Sequence, residues 1–206
     1  NQAISLMANI EDLDDIKTVL ESRASGIGLF RTEFLFMNRE DLPDEEEQFN
    51  TYKSIAKSMK GKPVVIRTLD SGADKTTAAD TIKATNPALG LRAIRLCLSH
   101  PHLFLTQLKA ILRASAFGNI KILIPMLSSL GELKQVKMLI KRAKDSLIYD
   151  GINFDADIQV GGMIEIPAVA INAEAFAKEL DFLSVGTNDL IQYTLAIDRT
   201  DDSVSH

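Results

Sequence analysis

Short β-rich runs alternate with longer stretches of helical period from one end of this chain to the other, and that alternation restricts the fold more than any other feature. The runs are AISLMANI, GIGLF, PVVIRT, IKILIPML, IQVGGMIE and FLSVGTN, six in all. Strands separated by helices pair in parallel, so the sequence predicts an α/β protein built from βα units. Between the runs, EEEQFNTYKSIAKSM places Phe49, Tyr52, Ala56 and Met59 on one face, with acids in its first turn. SSLGELKQVKMLIKRAKDSLIYDG opens with Ser129 and Glu132 at capping-box spacing, carries Leu133, Val136, Ile140, Ala143 and Leu147 on one stripe, and stops at Gly151. NPALGLRAIRLCLSHPHLFLTQLKAILRASAFG is too long for one clean helix; it reads as two segments broken around Pro101 and ending at Gly118.

With 206 residues, 46% of them hydrophobic and 25% charged, the chain can bury a core as one globular domain. A formal charge of -5 and a pI near 5.3 provide no basic field for nucleic acid or an anionic membrane, so neither is expected as a partner. The lone cysteine, Cys97, rules out an internal disulfide, and no apolar run reaches the length of a membrane span. A cytoplasmic setting fits these features. The sequence opens on Asn1 and closes in polar DRTDDSVSH, from which we expect a fragment of a longer protein.

Polar residues interrupt the apolar runs at the same end each time. GLF runs into Arg31, VVI into Arg67, GGMI into Glu165, and FLSVGT into Asn188 and Asp189. In a parallel barrel or open sheet the carboxyl ends of the strands form one rim, and the chemistry sits there. Arg31 and Arg67 offer planar forks for phosphate or carboxylate oxygens. Glu165 and Asp189 end successive strands, close enough to share a hard cation, for which Mg2+ completed by water and substrate oxygens is the natural choice. Asn188 adds a neutral donor, and Arg199, beyond a short helical stretch, is able to fold back over the site. Singly, each residue has an ordinary explanation: a strand-end ion pair for the arginines, a first-turn acid for Glu165, a helix cap for Asp189. Four matched strand ends are harder to explain that way.

GIGLFRTEFLFMNREDLPDEEEQF, VIRTLDSGADK, NPALGLRAIR, ILRASAFG, GGMIEIPA and FLSVGTNDLIQYTLAIDR, in this order, resemble the phosphoenolpyruvate-binding barrel of bacterial phosphoenolpyruvate-protein phosphotransferase, enzyme I of the sugar phosphotransferase system. The resemblance spans essentially the whole chain. It implies a (β/α)8 TIM-type barrel of the phosphoenolpyruvate/pyruvate superfamily, here truncated to about six βα units, with the last two strands and an N-terminal phosphohistidine domain absent. It implies that Arg31 and Arg67 hold the phosphoryl group, that Glu165 and Asp189 ligate Mg2+, that Asn188, Asp189 and Arg199 complete the substrate contacts, and that Arg92 is a further arginine near the site.

The implied reaction moves the phosphoryl group of phosphoenolpyruvate to an enzyme histidine and then to a histidine-containing phosphocarrier protein, releasing pyruvate. The resemblance puts the proton-donating cysteine and the acceptor histidine in segments that this sequence lacks. The expected fragment therefore carries the substrate and metal site without turning over alone, in a bacterial cytoplasmic protein that forms a homodimer. The SGADK loop departs from the family's DxGGDK form at Ala73; Asp70, Asp74 and Lys75 are able to shape the site, with solvated loop charge as the default reading. Two other readings stay open: a metal-dependent pyruvate aldolase of the same superfamily, and a ligand-sensing dimerisation module.

Overall fold

Among the described residues, six parallel strands form one sheet whose spatial order repeats their order in the chain: β1 (Ala8–Ile10), β2 (Ile27–Arg31), β3 (Val64–Arg67), β4 (Ile120–Ile124), β5 (Val160–Ile164) and β6 (Phe182–Val185). This is seen in a computed structural model, which describes residues 4–71, 86–198 and 201–204. Helices return the chain between strands: α1 (Asp15–Glu21), α2 (Glu45–Ser58), α3 (Ala93–Ser99), α4 (Pro101–Ser115), α5 (Leu130–Tyr149), α6 (Pro167–Ile171), α7 (Ala173–Ala177) and α8 (Thr187–Leu195). An all-parallel sheet in sequence order is the arrangement of a βα barrel, present here through six of its units. Among the described residues, the chain thus forms six βα units of the expected α/β barrel.

Local chemistry explains the helix limits. Asp44 caps α2 by accepting from Glu47 N at 2.8 Å, and three glutamates fill the first turn, where the helix dipole favours them. At the start of α5, Ser129 and Glu132 form the reciprocal capping box. Its end leads into Gly151 at φ +68°, a conformation that a side chain would resist. Pro101 opens α4 and separates it from α3, as its missing N–H and fixed φ require. The first strand is shorter than expected from AISLMANI. Ile4 and Leu6 are exposed, and only Ala8–Ile10 join the sheet, because β1 has a neighbour on one side alone.

The core lies in two layers. Between sheet and helices, Phe30, Ile66 and Ile122 meet Tyr52 of α2 and Phe104, Leu108 and Ile111 of α4, all fully buried. Burial of each large apolar side chain contributes about 1.5–3 kcal/mol. On the opposite sheet face, a smaller cluster of Val65, Leu123 and Met163, flanked by Leu29 and Phe182, fills the barrel interior. Side chains alternate along a strand, so this interior row fixes what comes next. Arg31 stands two residues beyond Leu29, Arg67 two beyond Val65, and Glu165 two beyond Met163. The same face that packs the interior delivers three charged groups to its mouth.

Candidate functional site

At the carboxyl ends of the strands, a polar cavity of about 520 Å³ opens over the interior cluster. Arg31, Arg67, Arg92, Glu165, Asn188 and Asp189 all line it. The structure therefore brings every rim residue expected from the sequence to one place, except Arg199, which lies outside the described residues. Asp74 and Lys75 of the SGADK loop lie outside them too.

The guanidiniums are held by carboxylates in a continuous chain. Arg67 contacts Glu33 through Nη2 at 3.1 Å and Asp70 through Nη1 at 3.0 Å. Glu33 Oε1 also accepts from Asp70 N at 2.9 Å. The other Asp70 oxygen meets Arg92 Nη2 at 2.8 Å, and Arg92 Nη1 lies 3.8 Å from Asp189 Oδ1. Charges thus alternate from Glu33 through Arg67, Asp70 and Arg92 to Asp189. Burial works against the charge on Arg92, but Asp70 outweighs it, and its guanidinium is held more firmly protonated than usual. Arg31 stands apart from this chain, half-exposed and paired with Glu11.

Asp70 corrects the expectation of a solvated loop charge. Its side chain is only 4% exposed because two buried guanidiniums close over it. Glu33 and Met126 were not singled out in the sequence. Glu33 follows Arg31 by two residues in RTEF, a spacing that suggested nothing, because a 3-10 turn (Glu33–Phe36) rather than a strand presents it to Arg67.

Glu165 is fully buried at the centre of the rim. Met126 N donates to its Oε1 at 2.6 Å, and does so from a left-handed backbone, φ +56°, that costs a non-glycine residue on the order of 1 kcal/mol. Burial, reinforced by Asp70 and Asp189, pushes the Glu165 carboxyl up to about 7 against the Met126 bond and Arg67. Asp189 sits buried in the first turn of α8. It does not cap that helix, which begins at Gly186 without a side-chain cap.

Several polar atoms here await partners. Glu165 Oε2 and the Nε groups of Arg31 and Arg67 are buried and have no hydrogen-bond partner among the described residues. Around the cavity, three guanidiniums face the carboxylates of Glu11, Glu33, Asp70, Glu165 and Asp189, so the described lining has a surplus of negative charge. A dianion would meet repulsion in such a site unless a cation came with it. The buried Glu165 Oε2, with Asp189 lining the same cavity, suits a hard divalent cation that keeps most of its shell for water and ligand. Among the described residues, no three His, Cys, Asp or Glu side chains are grouped closely enough to form a metal cage.

The chain belongs to the family of phosphoenolpyruvate-utilising enzymes, as their phosphoenolpyruvate-binding domain; the match runs over residues 1–206. Its relatives are more specific. It is 53% identical over 204 residues to the phosphoenolpyruvate-protein phosphotransferase of Priestia megaterium, and 50% identical over 204 residues to that of Bacillus subtilis. The phosphoenolpyruvate-protein phosphotransferase of Cupriavidus necator is 54% identical over 207 residues. These alignments cover 98% of this chain but 36%, 36% and 35% of the three relatives, so the chain spans about a third of their length. Among the described residues, no helix is long and apolar enough to cross a membrane.

Proposed function

We propose that this chain binds phosphoenolpyruvate together with Mg2+ and serves as the substrate-binding part of a phosphoenolpyruvate-protein phosphotransferase. The observation that carries the reading is the composition of the rim. Arg31 and Arg67 donors and a buried Glu165 oxygen have no partner among the described residues, and the described lining carries more acid than base, which a dianion brought in with a cation would balance. Glu165 and Asp189 would hold the metal, and bound Mg2+ supplies positive charge against the substrate oxygens.

Arg31 and Arg67 would grip the phosphoryl oxygens through their guanidiniums, and Asn188 and Arg199 would orient the remainder of the molecule. Arg92, clamped between Asp70 and Asp189, would hold those two carboxylates at fixed separation. The phosphorus–oxygen bond of the substrate breaks as a phosphorus–nitrogen bond forms to a histidine. The electron pair stays on the departing oxygen, and protonation of the resulting enolate gives pyruvate. Arginines fixed before the reaction neutralise charge on the transferring group without reorganising.

In the same reading, the acceptor histidine and the proton donor belong to other parts of a longer enzyme, which passes the phosphoryl group to a histidine-containing carrier. Cys97 is not that donor: it is buried on α3, and burial pushes its thiol up to about 12. A bacterial cytoplasmic homodimer belongs to the same proposal.

Calorimetric titration of phosphoenolpyruvate, with and without Mg2+, tests it. Binding that needs the metal and disappears in both Arg67→Ala and Glu165→Ala is expected. Binding that ignores Mg2+, or survives both substitutions, overturns the assignment.

A further inference from the structure

Behind the charged chain, on the side away from the cavity, lies a second polar network without a single ionised group. At its centre is Gln107 of α4, 1% exposed among apolar neighbours. Its Oε1 accepts from Leu69 N at 2.9 Å. Its Nε2 donates to Thr32 Oγ1 and to Tyr52 Oη, both at 3.2 Å. Thr32 Oγ1 passes the direction on by donating to Arg67 O at 3.0 Å. On the far side Tyr52 Oη donates to Gln48 Oε1 at 3.2 Å, and Gln48 Nε2 donates to Pro43 O at 3.0 Å.

The donors all run consistently, and Leu69 N–H fixes which end of the Gln107 amide is the oxygen. Burying a carboxamide among apolar side chains is costly unless every bond is made, whereas an apolar residue of similar volume would fill the same space without that demand. The network is therefore informative about what it holds. Gln107 grips Leu69 N directly and Arg67 O through Thr32. Those two backbone points lie between the Arg67 and Asp70 side chains, both of which line the cavity.

We propose that Gln107, acting with Thr32, is a positioning residue that sets the backbone from Arg67 to Asp70. The Arg67 guanidinium and its Asp70 partner are thereby fixed before ligand arrives. The inference rests on the function proposed above and adds a residue to it that never touches the ligand. Losing the support behind a metal-binding side chain typically costs 10- to 100-fold in affinity or activity, and a loss of that order is expected here.

The test titrates phosphoenolpyruvate with Mg2+ into wild type, Gln107→Leu, Thr32→Val, Thr32→Ser and Ser115→Ala, alongside thermal melting and amide hydrogen exchange at Leu69. Ser115 is a buried hydroxyl at the C-terminal end of α4, bonded to Leu112 O and Asp155 N, and its loss reports destabilisation remote from the site. Gln107→Leu is expected to weaken binding at least about tenfold and to speed exchange at Leu69, while Ser115→Ala melts earlier yet binds as wild type does. Thr32→Val is expected to weaken binding and Thr32→Ser to restore it, which decides the matter if Gln107→Leu does not fold. Wild-type affinity in both Gln107→Leu and Thr32→Val overturns the positioning role alone. Losses of affinity that merely follow melting temperature, Ser115→Ala included, overturn it equally. A folded wild type that binds nothing overturns the proposed function, and the positioning role with it.

Discussion

Gly186 lies so close to Glu165 that a Cβ at position 186 would stand 2.6 Å from the carboxylate Oε2. The backbone of β6 also holds this approach in place, since Gly186 N donates to Ile164 O at 3.0 Å. A methyl group could enter only by driving the carboxylate from its seat. Gly186→Ala is therefore expected to abolish Mg2+-dependent binding while the far-ultraviolet dichroism stays native. Unchanged binding in that variant would show that Glu165 has freedom to move which its burial denies.

The raised Glu165 carboxyl makes the metal-free protein sensitive to pH in a definite direction. Its ordinary value is 4.5, and in the folded chain it reaches about 7. Between those values the native state binds more protons than the unfolded one, so stability is full below 4.5 and falls as pH rises through 7. A shift of that size corresponds to about 3 kcal/mol. Urea unfolding in chelator, compared between wild type and Glu165→Gln, should show this slope between pH 5 and about 8 in the wild type alone.

Asp70 touches two guanidiniums with little water around any of the three groups. Its removal leaves both buried charges without their shared counter-ion. Asp70→Ala is expected to cost about 3–5 kcal/mol in denaturant unfolding. Asp70→Asn, which keeps one acceptor, should cost less. Equal losses would mean that shape rather than charge holds the pair.

Cys97 is 1% exposed, and burial raises its thiol to about 12, so it stays protonated and covered. Iodoacetamide at pH 8 should leave the native protein unmodified and label one site after unfolding in urea. Labelling of the native chain at the rate of a free thiol would show α3 opening on the experimental timescale.

Much of this architecture was legible in the sequence, because it depends on local periodicity. All six strands, the α2 stripe, the α5 capping box and the break at Pro101 come from patterns that span only a few residues. Arg31, Arg67, Glu165, Asn188 and Asp189 were legible for the same reason, each marking the end of an apolar run, whereas Arg92 came only from the family resemblance. Their partners were not. Glu33 meets Arg67 across a separation of 34 residues, and Gln107 meets Thr32 across 75, distances over which periodicity carries no information. Asp70 looked like a loop charge because burial is decided by Arg92, which reaches it from the start of α3.

The agreement between spatial and chain order in the sheet also bears on how this polypeptide is made. Each strand from β2 onward pairs with one that has already left the ribosome, so no segment must wait for a distant successor before it finds an edge to join. Secondary structure can accumulate at the pace of synthesis. Completion of the rim comes late, however. Arg31 and Arg67 are in place early, but Glu165 and Asp189 arrive only with β5 and α8, so a nascent chain has most of its scaffold before it has both acids of the proposed metal site.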